Sequence, residues 1–125
     1  LKTELKPDSV KLLCRDHEDR PWGFFDRFTL NEITSVKLLS VKSRQALSLQ
    51  YHNYRDEFNR ALKGSATLFL GNEERQVKEG DEYWVPRQAV HRVIAGDKGF
   101  EWLEISFGEF DEQDIVRLED KYSRQ

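Results

Sequence analysis

The stretch QYHNYRDE, residues 50–57, carries three of the four side chains of a predicted metal site, and VPRQAVHR, residues 85–92, carries the fourth. These side chains are Gln50, His52, Glu57 and His91. Side chains two apart on a β-strand point to one face, so the first two would project together, and the glutamate and the later histidine can join them. One amide oxygen, two imidazoles and one carboxylate suit a divalent metal, zinc first, with manganese, iron, cobalt and nickel also compatible. Alternatively, Gln50 would hold a water beside the metal or orient His52.

Length and composition limit the classes of protein to which the chain can belong. The chain has 125 residues, which is about the commonest size of one domain. Lys plus Arg number 20 and Asp plus Glu 23, so the net charge of -3 favours neither nucleic acid nor an anionic membrane. The single cysteine, Cys14, cannot form an internal disulfide, and no apolar run reaches the length of a membrane span or a signal-peptide core. We therefore expect a soluble cytoplasmic protein.

Strand-like segments recur along most of the chain. Segments rich in valine, leucine and aromatic residues follow one another at a spacing of roughly 8–12 residues, which is typical of an all-β sandwich or barrel. The predicted strands are 23–30, 35–41, 47–52, 57–63, 66–70, 73–77, 82–85, 91–95 and 101–107. Gly71 and Asn72 separate two of them and indicate a tight hairpin.

The two ends of the chain have a different pattern. Residues 1–20 are mostly polar and predict an N-terminal arm, or a short helix, leading into a domain at 21–125. Residues 111–122 predict a short C-terminal helix, because acidic residues precede Ile115 and basic residues follow Leu118, which matches a helix dipole.

The spacing of the predicted ligands resembles the two sequence motifs of the cupin superfamily. The matching positions are Gln50, His52, Glu57 and Gly64 in the first motif, and Gly80, Pro86 and His91 in the second. Arg44, Gln88 and Ala95 depart from the pattern, and glutamine stands where the first histidine is usual. The resemblance implies a jelly-roll barrel, the double-stranded β-helix, with a metal held inside it.

A narrower resemblance lies in stretches on both sides of the ligands. The cupin domain of type II phosphomannose isomerases, in which glutamine as the first ligand is usual, is resembled by residues 20–23, by 48–52 with Arg55 and Glu57, by 86–92, by 108–110, and by 114–120 with Tyr122. In that family the domain usually follows a mannose-1-phosphate guanylyltransferase domain. The resemblance implies metal-dependent interconversion of mannose 6-phosphate and fructose 6-phosphate. Tyr54, Phe58 and Asn59 depart from the family pattern beside the ligands, so the exact substrate stays open.

An aldose to ketose isomerase moves a proton between C1 and C2, so it needs a base and cations for the phosphate and the enediolate. Glu104 is a candidate base on the last predicted strand, although a solvent-facing position is equally compatible. Lys37 is a candidate base or phosphate partner, or else a surface lysine. Arg55 and Arg92 adjoin predicted ligands and are candidate substrate-binding residues, with Arg92 also assigned a catalytic role. Ion pairing with Asp56 is the alternative for Arg55.

Two other functions are compatible with the predicted barrel. One is a cupin that binds a sugar or sugar phosphate without turnover. The other is an iron-dependent oxygenase, since two histidines and one carboxylate leave open positions for dioxygen. For any of the three we expect a homodimer, because small barrels often pair exposed edge strands.

Overall fold

The computed structural model describes residues 16–109 and 111–119, and their regular structure is entirely β. The nine strands are β1 Asp16–Arg20, β2 Gly23–Arg27, β3 Thr34–Val41, β4 Leu49–Tyr51, β5 Asp56–Leu70, β6 Glu73–Lys78, β7 Glu82–Val85, β8 His91–Phe107 and β9 Val116–Glu119. The all-β prediction is confirmed. Within residues 16–109 and 111–119, no helix of membrane-spanning length and hydropathy is present.

Two long antiparallel strands, β5 and β8, form the frame of the fold. They pair along almost their whole length, from Asp56 with Phe107 to Leu70 with His91. In the first half of the sheet, residues 56–64 and 100–107 lie between β7 and β3. In the second half, residues 65–70 and 91–95 lie between β6 and β4, and β9 pairs with the far edge of β4. A separate hairpin of β1 and β2 precedes this sheet.

The change of direction between the halves depends on glycine. The pairing of β5 and β8 shifts register on either side of Lys63 and Gly64. Gly64 has a φ of 79°, and a Cβ there would lie 2.1 Å from the carbonyl oxygen of Gly99. Only glycine permits both the left-handed backbone and this close approach. The sheet therefore bends here, and side chains from both halves meet in one core.

The largest buried apolar cluster draws from both halves of the sheet. Tyr83 and Trp102 come from the first half, and Leu68, Leu70 and Val93 come from the second. Each large side chain that is fully removed from water stabilises the fold by about 1.5–3 kcal/mol. This core holds the inner faces of the two halves at a defined separation, so polar groups on those faces are placed with little freedom.

The described structure corrects two predicted boundaries and the C-terminal helix. Breaks were expected at residues 64–65 and 96–100, yet β5 and β8 run through them, because the glycines bend the strands without ending their pairing. The predicted helix over 111–122 is wrong: residues 116–119 form β9, since the open edge of β4 offers them hydrogen-bond partners. Residues 16–20 of the predicted arm form β1, whereas residues 1–15 and 120–122 lie outside the described part.

Candidate metal centre

Three of the four predicted ligands form a compact buried group. One potential ligand atom from each of His52, Glu57 and His91 lies within 4.8 Å of the others. Nε2 of His52 is 3.4 Å from Oε2 of Glu57, and Nε2 of His91 is 3.9 Å from Oε1 of the same carboxylate. His52 follows β4, while the other two lie on β5 and β8. The group is thus assembled from three separate places in the chain.

Backbone carbonyls set the orientation of both imidazoles. Nδ1 of His52 lies 2.7 Å from the carbonyl oxygen of Asp114, and Nδ1 of His91 lies 3.0 Å from that of Ala89. A carbonyl only accepts, so each Nδ1 carries the proton and each Nε2 presents a lone pair towards Glu57. Burial lowers the pKa of His52 from 6.5 to about 4 and also lowers the pKa of His91. Two neutral imidazoles and one carboxylate fit a borderline divalent metal.

Gln50 lies beside this group on β4. Its Cα pairs with that of His91 across the sheet, and its Oε1 accepts a hydrogen bond of 2.7 Å from Oγ of Ser48. The contact with Ser48 orients the amide and leaves open whether its oxygen binds the metal directly. Ligation by Gln50 therefore stays a prediction.

Arg55 is part of the buried group, where it forms an ion pair with Glu57. Its Nε donates to Oε2 of Glu57 at 3.0 Å, and its Nη2 lies 3.4 Å from Nε2 of His52. Burial raises the pKa of Glu57, and the guanidinium opposes that rise by stabilising the carboxylate. Asp56 pairs instead with Arg87. The structure thus places a cation next to two of the three ligands.

Glu104 and Lys37 lie next to one another at the edge of the group. Their Cα atoms are partners between β8 and β3. The Glu104 residue is 8% exposed, whereas 39% of the Lys37 side chain is exposed, with Nζ 3.9 Å from a carboxylate oxygen of Glu112. Burial, and then the charge of Glu57, raise the pKa of Glu104 to about 8. A hydrogen bond with Glu57 contributes to the same rise in the pKa of Glu104. A carboxyl group that is partly protonated at neutral pH therefore adjoins the predicted ligands.

Arg92 is not brought to this group, although it follows His91 in the chain. Its Nε donates to the carbonyl oxygen of Leu47 at 3.1 Å, and its Nη1 donates to Glu119 at 2.7 Å. Successive residues of a strand point to opposite faces, so the neighbour of an inward histidine points outward. The geometry gives no support to the predicted catalytic and substrate-binding roles of Arg92.

Two adjoining cavities reach the group. The outer one has a volume of about 210 Å³, and its lining includes Lys37, His52, Arg55 and Arg117. The inner one holds about 20 Å³, and its lining includes Glu57, Asn59, Tyr83 and His91. Both are lined by Leu47, Gln50 and Glu104. A larger cavity of about 350 Å³ lies at the sheet corner around Gly99 and touches none of the predicted ligands.

The family model described as "Mannose-6-phosphate isomerase C-terminal" matches residues 9–120. The chain belongs to this family. Its curated relatives include the xanthan biosynthesis protein XanB of Xanthomonas campestris, with 35% identity over 84% of this chain. They also include the mannose-1-phosphate guanylyltransferase ManC of Salmonella typhimurium, with 32% identity over 84%. The chain spans only 23% and 22% of the length of these two relatives.

Solved structures confirm the cupin fold of this family member. Oxalate decarboxylase from Bacillus subtilis matches 92% of the chain and 33% of its own, with a TM-score of 0.64 and 21% identity. KdgF from Halomonas sp. matches 78% of the chain and 92% of its own, with a TM-score of 0.61 and 15% identity. At these identities the likeness concerns the fold alone.

Several residues of the site in this family member were not among the predicted site residues. Asn59 and Tyr83 line the inner cavity, and Arg117 lines the outer one. Asp114, which anchors His52, belongs to the segment that was predicted as a helix. The strand period could have found Asn59, because it lies two residues after Glu57 and so faces the same side. No pattern in the neighbouring sequence marks Asp114 or Arg117 as site residues. Both come near the site because the chain from residue 114 onward runs back beside β4, where β9 pairs with it.

Proposed function

We propose that this domain is a divalent-metal-dependent isomerase that interconverts mannose 6-phosphate and fructose 6-phosphate. The observation that carries the proposal is the buried Glu104 carboxyl beside the group of His52, Glu57 and His91. Membership of the mannose-6-phosphate isomerase family supports the same reaction. His52, Glu57 and His91 would hold the metal, with Gln50 as the fourth proposed ligand and zinc as the first choice.

Glu104 is proposed as the base that moves the proton. A carboxyl group with a pKa of about 8 exists in both forms near neutral pH, so it can take the proton from C2 of mannose 6-phosphate and return it to C1, while the proton of the O2 hydroxyl passes to O1. A bound divalent metal would supply a Lewis acid for the negative charge that develops on the sugar oxygens. Because Glu104 is 8% exposed, bulk water has little access to the proton that it holds.

Cations at the outer cavity are proposed to bind the phosphate. Lys37 and Arg117 both line this cavity, and the Lys37 side chain is partly exposed there. A guanidinium offers a planar pair of donors to phosphate oxygens, and an ammonium adds a point charge. With the phosphate between them, the sugar would extend inward towards Glu104. Arg55, which contacts Glu57, is proposed to stabilise charge at the reacting end instead.

The test is an isomerase assay on protein freed of metal and reloaded with zinc, manganese, cobalt, nickel or iron. We expect conversion of fructose 6-phosphate with at least one metal and its loss in His91→Ala, while the exposed-histidine variant His17→Ala keeps wild-type activity. Saturable sugar-phosphate binding without turnover under every metal would overturn the proposal and favour a binding protein. Oxygen uptake by the iron form with a small organic acid would favour an oxygenase.

The role of Glu104 has its own test. Glu104→Gln keeps the size of the side chain and removes the titratable proton, so we expect kcat to fall by about 10²–10⁴ with little change in KM. Glu74→Gln, on the exposed face of β6, is the matched control and should retain wild-type kcat. A Glu104→Gln enzyme within threefold of wild type would exclude Glu104 as the base.

A further inference from the structure

Four polar side chains stand in one row across the first half of the sheet. Cα partners link Lys37 with Glu104, Glu104 with Asn59, and Asn59 with Tyr83. Directly paired residues of neighbouring strands present their side chains on the same face. The row runs from the partly exposed Lys37 to Tyr83, which is 2% exposed, and so leads from the outer cavity to the inner one. Asn59 lies between Glu104 and Tyr83 in this row.

The Asn59 amide is held in one orientation. Its Oδ1 accepts a hydrogen bond of 3.1 Å from Nε1 of Trp102. An indole nitrogen only donates, so the contact identifies the amide oxygen and leaves the NH2 group directed away from the indole. Asn59 is 2% exposed, and its Nδ2 has no hydrogen-bond partner among the described residues. A buried donor left unsatisfied costs about 1–3 kcal/mol, so a bound group that accepts its hydrogen bond is favoured at this position.

The surroundings of Asn59 indicate what kind of ligand atom would complete it. The side chain lines the inner cavity together with Glu57, His91 and Glu104. This cavity of about 20 Å³ has room for a single small group, and it adjoins the outer cavity at Gln50 and Glu104. An NH2 group donates and does not accept, so the matching atom is an acceptor such as a hydroxyl or carbonyl oxygen. A sugar phosphate that entered from the outer cavity would bring such an oxygen from its C1–C2 end.

We propose that Asn59 is a specificity-determining residue whose Nδ2 donates a hydrogen bond to the O1 or O2 oxygen of the bound sugar phosphate. This inference rests on the proposed function, because it takes a sugar phosphate as the ligand. A site built to hydrogen-bond an oxygen discriminates against an analogue that lacks it, since the buried donor is then left without a partner. Asn59 thereby selects the reacting end of the sugar, while Glu104 next to it carries the proton.

The experiment measures binding by calorimetry on the metal-loaded full chain. The ligands are mannose 6-phosphate, 1,5-anhydromannitol 6-phosphate, which lacks O1, and 2-deoxyglucose 6-phosphate, which lacks O2. We expect Asn59→Leu to lower the affinity ratio between mannose 6-phosphate and one of the two analogues by about tenfold. Metal stoichiometry, measured in parallel, should stay at the wild-type value, because Asn59 is not among the proposed ligands.

Trp102→Phe is the matched control variant. It breaks the same Trp102–Asn59 hydrogen bond but keeps the Asn59 NH2 group, so a structural role for the pair would affect both variants alike. We expect Trp102→Phe to lower the same affinity ratio by less than Asn59→Leu does, because the NH2 group is kept although its orientation is no longer fixed. Unchanged ratios in Asn59→Leu, or equal losses in both variants, would overturn this inference and leave the isomerase proposal standing. Failure of the wild type to bind any of the three ligands would overturn both.

Discussion

At the scale of single residues, the buried carboxyl of Glu104 has the clearest consequence for stability. Its pKa is 4.5 in the unfolded chain and about 8 in the folded, metal-free protein. A group whose pKa is raised by folding stabilises the native state below the unfolded pKa, and that contribution is lost as the pH rises through the folded value. The metal-free protein should therefore lose stability from Glu104 between pH 4.5 and 8.

We expect Glu104→Gln to raise the free energy of unfolding of the metal-free protein by roughly 2–4 kcal/mol at pH 9. At pH 5 the variant should differ little from wild type, because the native carboxyl is then protonated and resembles the amide. Urea denaturation at the two pH values measures the difference. Equal effects at pH 5 and pH 9 would show that the carboxyl does not titrate in this range.

The contribution of His52 to the free energy of unfolding changes with pH in the opposite direction. Burial lowers its pKa from 6.5 to about 4, so the unfolded chain binds a proton more readily than the folded one. Its contribution to stability is lost as the pH falls from 6.5 towards 4, at up to about 1.4 kcal/mol per pH unit. We expect Glu104→Gln, which removes the opposing contribution of Glu104, to show a fall in urea midpoint over this range, to which the lowered pKa of His91 contributes with the same sign. A midpoint that stays constant from pH 6.5 to 4 would contradict the lowered pKa.

At the scale of elements, the segment after β4 is held by the segment before β9. The two side-chain oxygens of Asp114 accept hydrogen bonds from the backbone N–H groups of Asn53 and Tyr54, at 2.8 and 2.9 Å. The backbone carbonyl of the same residue orients His52. Groups that fix a ligand in this way typically affect metal affinity by about 10–100-fold.

We accordingly expect Asp114→Ala to weaken zinc binding by about 10–100-fold. The backbone of Asn53 and Tyr54, directly after His52, loses two hydrogen bonds in this variant. Competition with a chromophoric chelator measures the affinity. Gln113→Ala, a change to the exposed neighbour, should bind zinc like the wild type. Equal affinity of the two variants would show that the loop keeps its shape without the carboxylate.

The bend in β5 at Gly64 leads to a prediction about stability. Gly64→Ala places a Cβ 2.1 Å from the Gly99 carbonyl, whereas Gly80→Ala meets no atom within 4 Å at a similarly positive φ. We expect the first variant to lose more than about 4 kcal/mol of unfolding free energy and the second about 1–2 kcal/mol. Urea denaturation of the two proteins compares them. Similar losses would mean that the backbone conformation matters and the close approach does not.

At the scale of the whole molecule, the candidate metal centre joins distant parts of one sheet. Glu57 lies in the first half, His91 begins β8 in the second, and His52 precedes β5. A metal that binds only the folded chain stabilises it by mass action, by about 2.7 kcal/mol at 100 times the dissociation constant. The metal would thus stabilise the global fold as well as the local site.

We expect zinc at 100 times its dissociation constant to raise the melting temperature of the wild type and to leave that of His91→Ala unchanged. Differential scanning calorimetry with zinc and with excess chelator gives both values. An equal zinc-induced rise in the two proteins would place the binding site elsewhere. The homodimer and the sugar-phosphate partner stay predictions, to be checked by the solution mass and by the binding experiments above.

The sequence by itself determined the all-β class, the hairpin at Gly71 and the set of His52, Glu57 and His91. The class and the hairpin depend on short-range rules, because strand alternation and turn residues are visible within about ten residues, whereas His91 joins the other two ligands through the resemblance to the second cupin motif. Only the tertiary structure decided that Arg55 lies among the ligands while Arg92 points away, that residues 116–119 form a strand, and that Asp114 belongs to the site. Such placements depend on which strands pair across the sheet, and pairing between distant segments is settled by packing and hydrogen bonding of the whole chain.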